Sequence, residues 1–119
     1  MKTFALVVLL CVGATAADQP KHNGNWWTEL SPPMKTAFVV GFYEGEVYTA
    51  VHFGKEEPFP IGDATFGQAR DAVDAFYADP TNRLILVGYA IEYVSASIMG
   101  KPKTQEWLLT LRRTAAGVK

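Results

Sequence analysis

An all-α, single-domain bundle of about four helices, following a cleaved signal peptide, is the fold class this sequence predicts. Three observations carry that expectation. The first is an apolar run over residues 4–12 followed by small residues. The second is the four-residue spacing of apolar side chains through the rest of the chain. The third is the placement of prolines and glycines where helices would start and stop.

Lys2 gives a short positive start, and Ala14-Thr15-Ala16 offers small side chains at −3 and −1 for signal peptidase, with cleavage before Ala17. The apolar run is far short of the about 20 residues that span a bilayer, so an uncleaved anchor is disfavoured. Cys11 has Leu10 before it instead of a small residue, which argues against a lipid-modified start. The chain of 119 residues then divides into a signal peptide at 1–16, a flexible lead-in at 17–30, with room for a short turn of helix at Asn25 to Leu30, and a helical domain at 31–119. The expected destination is outside the cytoplasm, periplasmic or secreted.

Removing the leader takes away Lys2 and Cys11. The remaining 10 basic and 12 acidic side chains give a formal charge of −2. Such a chain has no field to draw in nucleic acid or an anionic membrane. With its only cysteine gone it has no thiol nucleophile and no disulfide, so the core alone must hold it.

Each helix has its own signal. Ser31-Pro32-Pro33 reads as a helix start, with Ser31 as cap and proline tolerated in the first turn. From 34 to 53, Met34, Phe38 and Phe42 form one stripe, and Val39, Tyr43, Val47 and Val51 form its neighbour. Ala37, Gly41, Gly45 and Thr49 make a third, small stripe, against which a second helix backbone is expected to pack closely. Residues 54–64, rich in proline and glycine, form a loop. Thr65 caps a second helix whose inner face is Phe66, Ala69, Val73, Phe76 and Tyr77. Pro80 ends it, because the residue before a proline is biased away from the helical region. A tight turn over 80–83 leads to a buried central helix over 84–99, with Leu84, Val87, Ile91, Val94 and Ile98 on one face and Glu92 as its single charge. Gly100 is the expected left-handed cap and Pro102 the stop. A last helix over 104–116 turns Trp107, Leu108 and Leu111 inward and sets Arg112-Arg113 near its C-terminus, where cations suit the helix dipole.

Candidate chemistry is sparse. His22 and His52 have no paired spacing, so no metal site and no cofactor are expected. A serine triad built from Ser31, Ser95 or Ser97 with His52 lacks a nucleophile-elbow context. Glu56-Glu57 reads as a solvated acidic pair. No catalytic residue is assigned. The residues with the best claim to a partner are Trp26 and Trp27, one of them packed beside Leu30 and the other exposed, together with Glu44, Tyr48 and His52, which stack one above the other on the first long helix.

Two stretches also resemble known proteins. Residues 23–35 and 41–45 carry N-G-x-x-W-x-x-L-S-x-x-x-K and G-[FY]-x-x-G, on Asn23, Gly24, Trp27, Leu30, Ser31, Lys35, Gly41, Phe42 and Gly45. Further on stand F-Y-x-D-x-x-N, on Phe76, Tyr77, Asp79 and Asn82, and G-x-P on Gly100 and Pro102. This pattern resembles a group of small exported bacterial helical proteins of unknown function. More remotely, it is similar to the Tai/Rap immunity proteins of type VI secretion, small periplasmic helical proteins that bind and block a toxic amidase. The mature chain has none of the cysteines that such proteins often pair, and no inhibitory residue carries over. Residues and resemblance together give one leading expectation, an exported non-enzymatic binding protein with a protein partner and no nucleic acid. A sharper form is an immunity-type inhibitor of a cell-wall hydrolase. A third class, from the residues alone, is a small hydrolase using His52.

Overall fold

A computed structural model describes residues 21–56 and 59–117. The expected leader, with its cleavage point and Cys11, lies outside them. The architecture is all-α: α1 (Gly24–Glu29), α2 (Pro32–Phe53), α3 (Phe66–Ala78), a 3-10 turn (Pro80–Asn82), α4 (Val87–Ile98) and α5 (Gln105–Ala115). Among the described residues there is no strand, only one isolated bridge between Asn23 and Leu86.

The second half of the expected lead-in, with both tryptophans, is helical and packed. Asn23 caps α1, its side-chain oxygen accepting from the N–H groups of Asn25 (3.1 Å) and Trp26 (3.3 Å). The Gly24 N–H donates to the Arg83 carbonyl at 2.9 Å, and that of Val87 to the His22 carbonyl at 2.8 Å. A Cβ on Gly24 would stand 2.4 Å from the Tyr77 ring, so only glycine lets α1 approach α3 this closely. Trp27 is fully buried (0% exposed), and its indole N–H donates to Asp74 Oδ1 at 2.7 Å. Lys35 Nζ reaches the same oxygen at 2.7 Å and lies over the Trp27 ring. One carboxylate thereby ties α1, α2 and α3 together. This short helix is the added turn that the sequence allows at Asn25 to Leu30, beside the four longer helices.

Ser31 stands at the N-cap of α2, but its side chain makes no capping bond; Pro32 and Pro33, which have no N–H to satisfy, do that work by absence. Gly54, in the left-handed region, ends the helix after 22 residues. At α3 the cap is complete. Thr65 Oγ1 accepts the Gln68 N–H (3.1 Å) and Gln68 Oε1 accepts the Thr65 N–H (2.8 Å), a reciprocal capping box. Ala69, Val73, Phe76 and Tyr77 face inward as expected, while Phe66 stays at the surface.

The turn after α3 is densely bonded. Asp79 Oδ1 accepts from both the N–H and the hydroxyl of Thr81, at 2.9 and 2.7 Å. Buried Asn82 donates to the Phe76 carbonyl (2.8 Å) and accepts from Arg112 Nε (2.8 Å). Tyr77 donates its hydroxyl to the Ile85 carbonyl at 2.7 Å. The central helix therefore begins at Val87 and not at 84. Leu84 and Leu86 are exposed, and the N–H of Val87 is engaged by His22, a partner 65 positions away that no local pattern reveals. From there α4 buries Val87, Ala90, Ile91, Val94 and Ser95. Gly100, at φ 72°, closes it as a left-handed cap, which a side chain would strain. Thr104 caps α5, Leu108 is buried, and Trp107 stacks on Tyr93 with ring centres 6.1 Å apart. Helix α3 packs most extensively on α4 and next on α2.

Candidate functional site

Helix α2 behaves as two halves. Up to Tyr43 it is a core helix: Val39 and Tyr43 are buried, Phe38 and Phe42 pack against the core, and the Tyr43 hydroxyl is hydrogen-bonded to that of buried Ser95 on α4. From 44 to 53 no residue is buried. Yet this stretch carries Val47, Tyr48, Val51 and Phe53, which are 46, 61, 74 and 69% exposed. The stripe Val39-Tyr43-Val47-Val51 is thus core at one end and surface at the other.

The small stripe fares differently from its expectation. A Cβ added at Gly41 or Gly45 meets nothing within 4 Å, so among the described residues no helix backbone packs against them. The core lies on the opposite face of α2, and the two glycines look outward.

The five candidate residues fall into two groups. Trp26 is half-buried, its ring 4.3 Å from that of His22 and 5.2 Å from that of Phe38. Trp27 is enclosed beside it. Neither indole is exposed, contrary to the expected split, and Trp27 presents nothing to a partner meeting the native surface. Glu44, Tyr48 and His52 are all exposed and share one face of α2. Tyr48 and His52 stack with ring centres 3.8 Å apart, and the Tyr48 carbonyl lies 3.0 Å from His52 Nδ1. Ten residues of helix, about 15 Å at 1.5 Å each, separate Phe38 beside Trp26 from Tyr48.

Beside the exposed half of α2 lies a cavity of about 380 Å³. Tyr43, Val47, Ile61 and Phe66 form its apolar walls, and Glu44 is the one charged residue lining it. The rings of Tyr43 and Phe66 are 5.9 Å apart at 37°. Between 44 and 66 the sequence carries five carboxylates (Glu44, Glu46, Glu56, Glu57, Asp63) and a single lysine, Lys55. The ion pairs among the described residues lie elsewhere: Lys35–Asp74, Arg70–Asp71, Lys103–Glu92 and Arg112–Asp79.

Hollows also open elsewhere on the surface. A cleft of about 570 Å³ between α3, α4 and α5 has Arg112 at its polar end, but that guanidinium is already held by Asn82 and by Asp79 Oδ2 at 3.0 Å. An apolar hollow of about 380 Å³ lies by exposed Leu84, Leu86 and Tyr89, with Lys21 on its rim. The groups with displaced pKa values serve the fold. Burial drives the Tyr77 hydroxyl well above its usual range while it donates to Ile85. Asp79 is held below the usual carboxylate value by the hydrogen bonds from Thr81 and then by the Arg112 charge. Among the described residues no cluster of three or more His, Cys, Asp or Glu side chains is disposed to hold a metal, and no helix is long and apolar enough to cross a membrane.

Val47, Val51, Phe53 and the cavity beside them are the functional candidates that sequence reasoning missed. The signal was present in composition. Over its 22 residues α2 carries only Lys35, Glu44 and Glu46 as charged side chains, with His52 near its end, and more apolar surface than one neighbouring helix can cover. Compared with known proteins, the chain matches no family model, no curated protein and no solved structure.

Proposed function

We propose that this chain is an exported, non-enzymatic binding protein that meets a protein partner through the second half of α2. The observation that carries the reading is the exposure of Val47, Tyr48, Val51 and Phe53 on ten consecutive residues without one buried side chain. Exposed apolar surface of this kind is costly to leave in water and marks contact sites. Tyr48 adds an amphipathic ring of the type that anchors interfaces. Export rests on the apolar run at 4–12 and the small residues before Ala17. An immunity-type inhibitor of a cell-wall hydrolase is the sharper form of the same reading, and it rests on the sequence resemblance alone. The hydrolase alternative draws less support, because the His52 ring is stacked on Tyr48 in the open and Ser95 is committed to Tyr43.

Site-specific photo-crosslinking in cells tests the surface. A benzophenone side chain at Val51 is expected to give a discrete adduct of higher mass, and one at Glu106 on α5 none. Adducts from Tyr89 and not from Val51 would move the contact to the other apolar hollow and overturn the assignment to α2. Turnover of peptidoglycan or ester substrates by the purified protein, abolished in His52→Ala, would replace binding with hydrolysis.

A further inference from the structure

We propose that the cavity between α2 and the 59–66 segment takes a lysine or arginine side chain of the protein partner. The inference rests on the partner-facing role of α2 proposed above and adds the chemistry of what is bound there.

The walls and the charge fit that ligand and disfavour others. Val47, Ile61 and the rings of Tyr43 and Phe66 offer an apolar lining for a stem of methylene groups. Long basic side chains bury such a stem while keeping the charged head at the rim. The carboxylate of Glu44 stands in that lining, with no ion pair to another described residue. Aromatic faces beside it add attraction for a cation and none for an anion. A purely apolar side chain would cover Glu44 without giving it a counter-charge, which is unfavourable. A carboxylate would meet like charge.

The surroundings point the same way. The 44–66 stretch has five carboxylates against Lys55, so its field draws a basic surface and repels an acidic one. That also argues against a second copy of this chain as the occupant. A two-fold contact sets the same patch on both sides and would bring these carboxylates face to face.

Titration of isotope-labelled protein with two small probes, followed by NMR, tests the cavity directly. The probes are n-butylguanidinium, which mimics an arginine head and stem, and n-butanol, which has a similar chain and no charge. Saturable shifts confined to Tyr43, Glu44, Val47, Ile61, Gly62 and Phe66 are expected with butylguanidinium, at an affinity at least about fivefold above that for butanol. In Glu44→Gln, an exposed and conservative change, that preference is expected to vanish while butanol binding stays as it was. Equal affinity for the two probes, or a preference unchanged in Glu44→Gln, overturns the inference. So does the absence of saturable shifts at the lining with either probe. In each of those cases an adduct from Val51 would still stand for the broader binding role, so the two claims fail separately.

Discussion

The junction around Trp27 and the outer half of α2 are both rich in aromatic and apolar side chains, and the fold treats them in opposite ways. At the junction the buried side-chain polar atoms of the described residues all have partners. Asp74 receives the Trp27 indole and Lys35, Asn82 links the Phe76 carbonyl to Arg112, and Gly24 is pressed on the Tyr77 ring. Along 44–53 the side chains meet solvent, and the glycines at 41 and 45 face open space. Aromatic residues near one another in sequence thus end in opposite environments here. Trp26 and Trp27 pack into the bundle, while Tyr48, Val51 and Phe53 stand outside its core.

Variants can break this contrast, and the largest effect is expected at Trp27. Trp27→Ala should destabilise by about 3–5 kcal/mol, since it opens a cavity and removes a donor from Asp74. A urea melt reads it. Gly24→Ala comes next at about 1–3 kcal/mol, because its methyl would overlap the Tyr77 ring. Asn82→Ala belongs in the same range, about 1–3 kcal/mol, because it strips the Phe76 carbonyl and the Arg112 guanidinium of a buried partner at once. On α2 the sign reverses. Gly41→Ala and Gly45→Ala should each stabilise by about 0.5–1 kcal/mol, since the new methyl meets nothing and the helix loses a flexible residue. Destabilisation by Gly41→Ala would mean that something covers that face.

The smallest effect concerns acid. Asp79 has its folded pKa held below the ordinary carboxylate value by Thr81 and Arg112. A depressed folded pKa adds stability that is present above the unfolded value and is lost as pH falls through the folded one. Asp79→Asn should therefore flatten a small part of the loss of stability below about pH 4 and leave the pH dependence near neutrality unchanged. Stability of wild type and variant measured at several acid pH values shows whether the curves converge.

Much of the architecture was legible because its signals are local. Thr65 with Gln68 three residues on announces a capping box, Pro80 stops α3, and Gly100 before Pro102 closes α4. What was not legible depends on distant partners. Leu84 and Leu86 continue the apolar rhythm of α4, but the segment at His22 and Asn23 crosses beside them and delays the helix to Val87. The outer half of α2 was hidden for a related reason. Periodicity says which residues share a face, and it is silent on whether another element covers it. Val39 and Val51 belong to one stripe, and one is buried while the other is 74% exposed. Of the candidate site, Glu44, Tyr48 and His52 were found by their spacing. The cavity needed the 59–66 segment to fold back, and no motif encodes that.

The central claim is that the outer half of α2 serves contact and not stability. Its most direct test is one protein carrying Tyr48→Ala, Val51→Ser and Phe53→Ser, read for stability and for partner contact together. The benzophenone is best placed at Val47, beside the altered residues. The expected result is an unchanged helical circular dichroism spectrum, a urea-melt stability within about 0.5 kcal/mol per substitution of wild type, and loss of the adduct that the Val47 probe gives in the otherwise unaltered protein. A stability loss of several kcal/mol, or an adduct that persists at full strength, would contradict it.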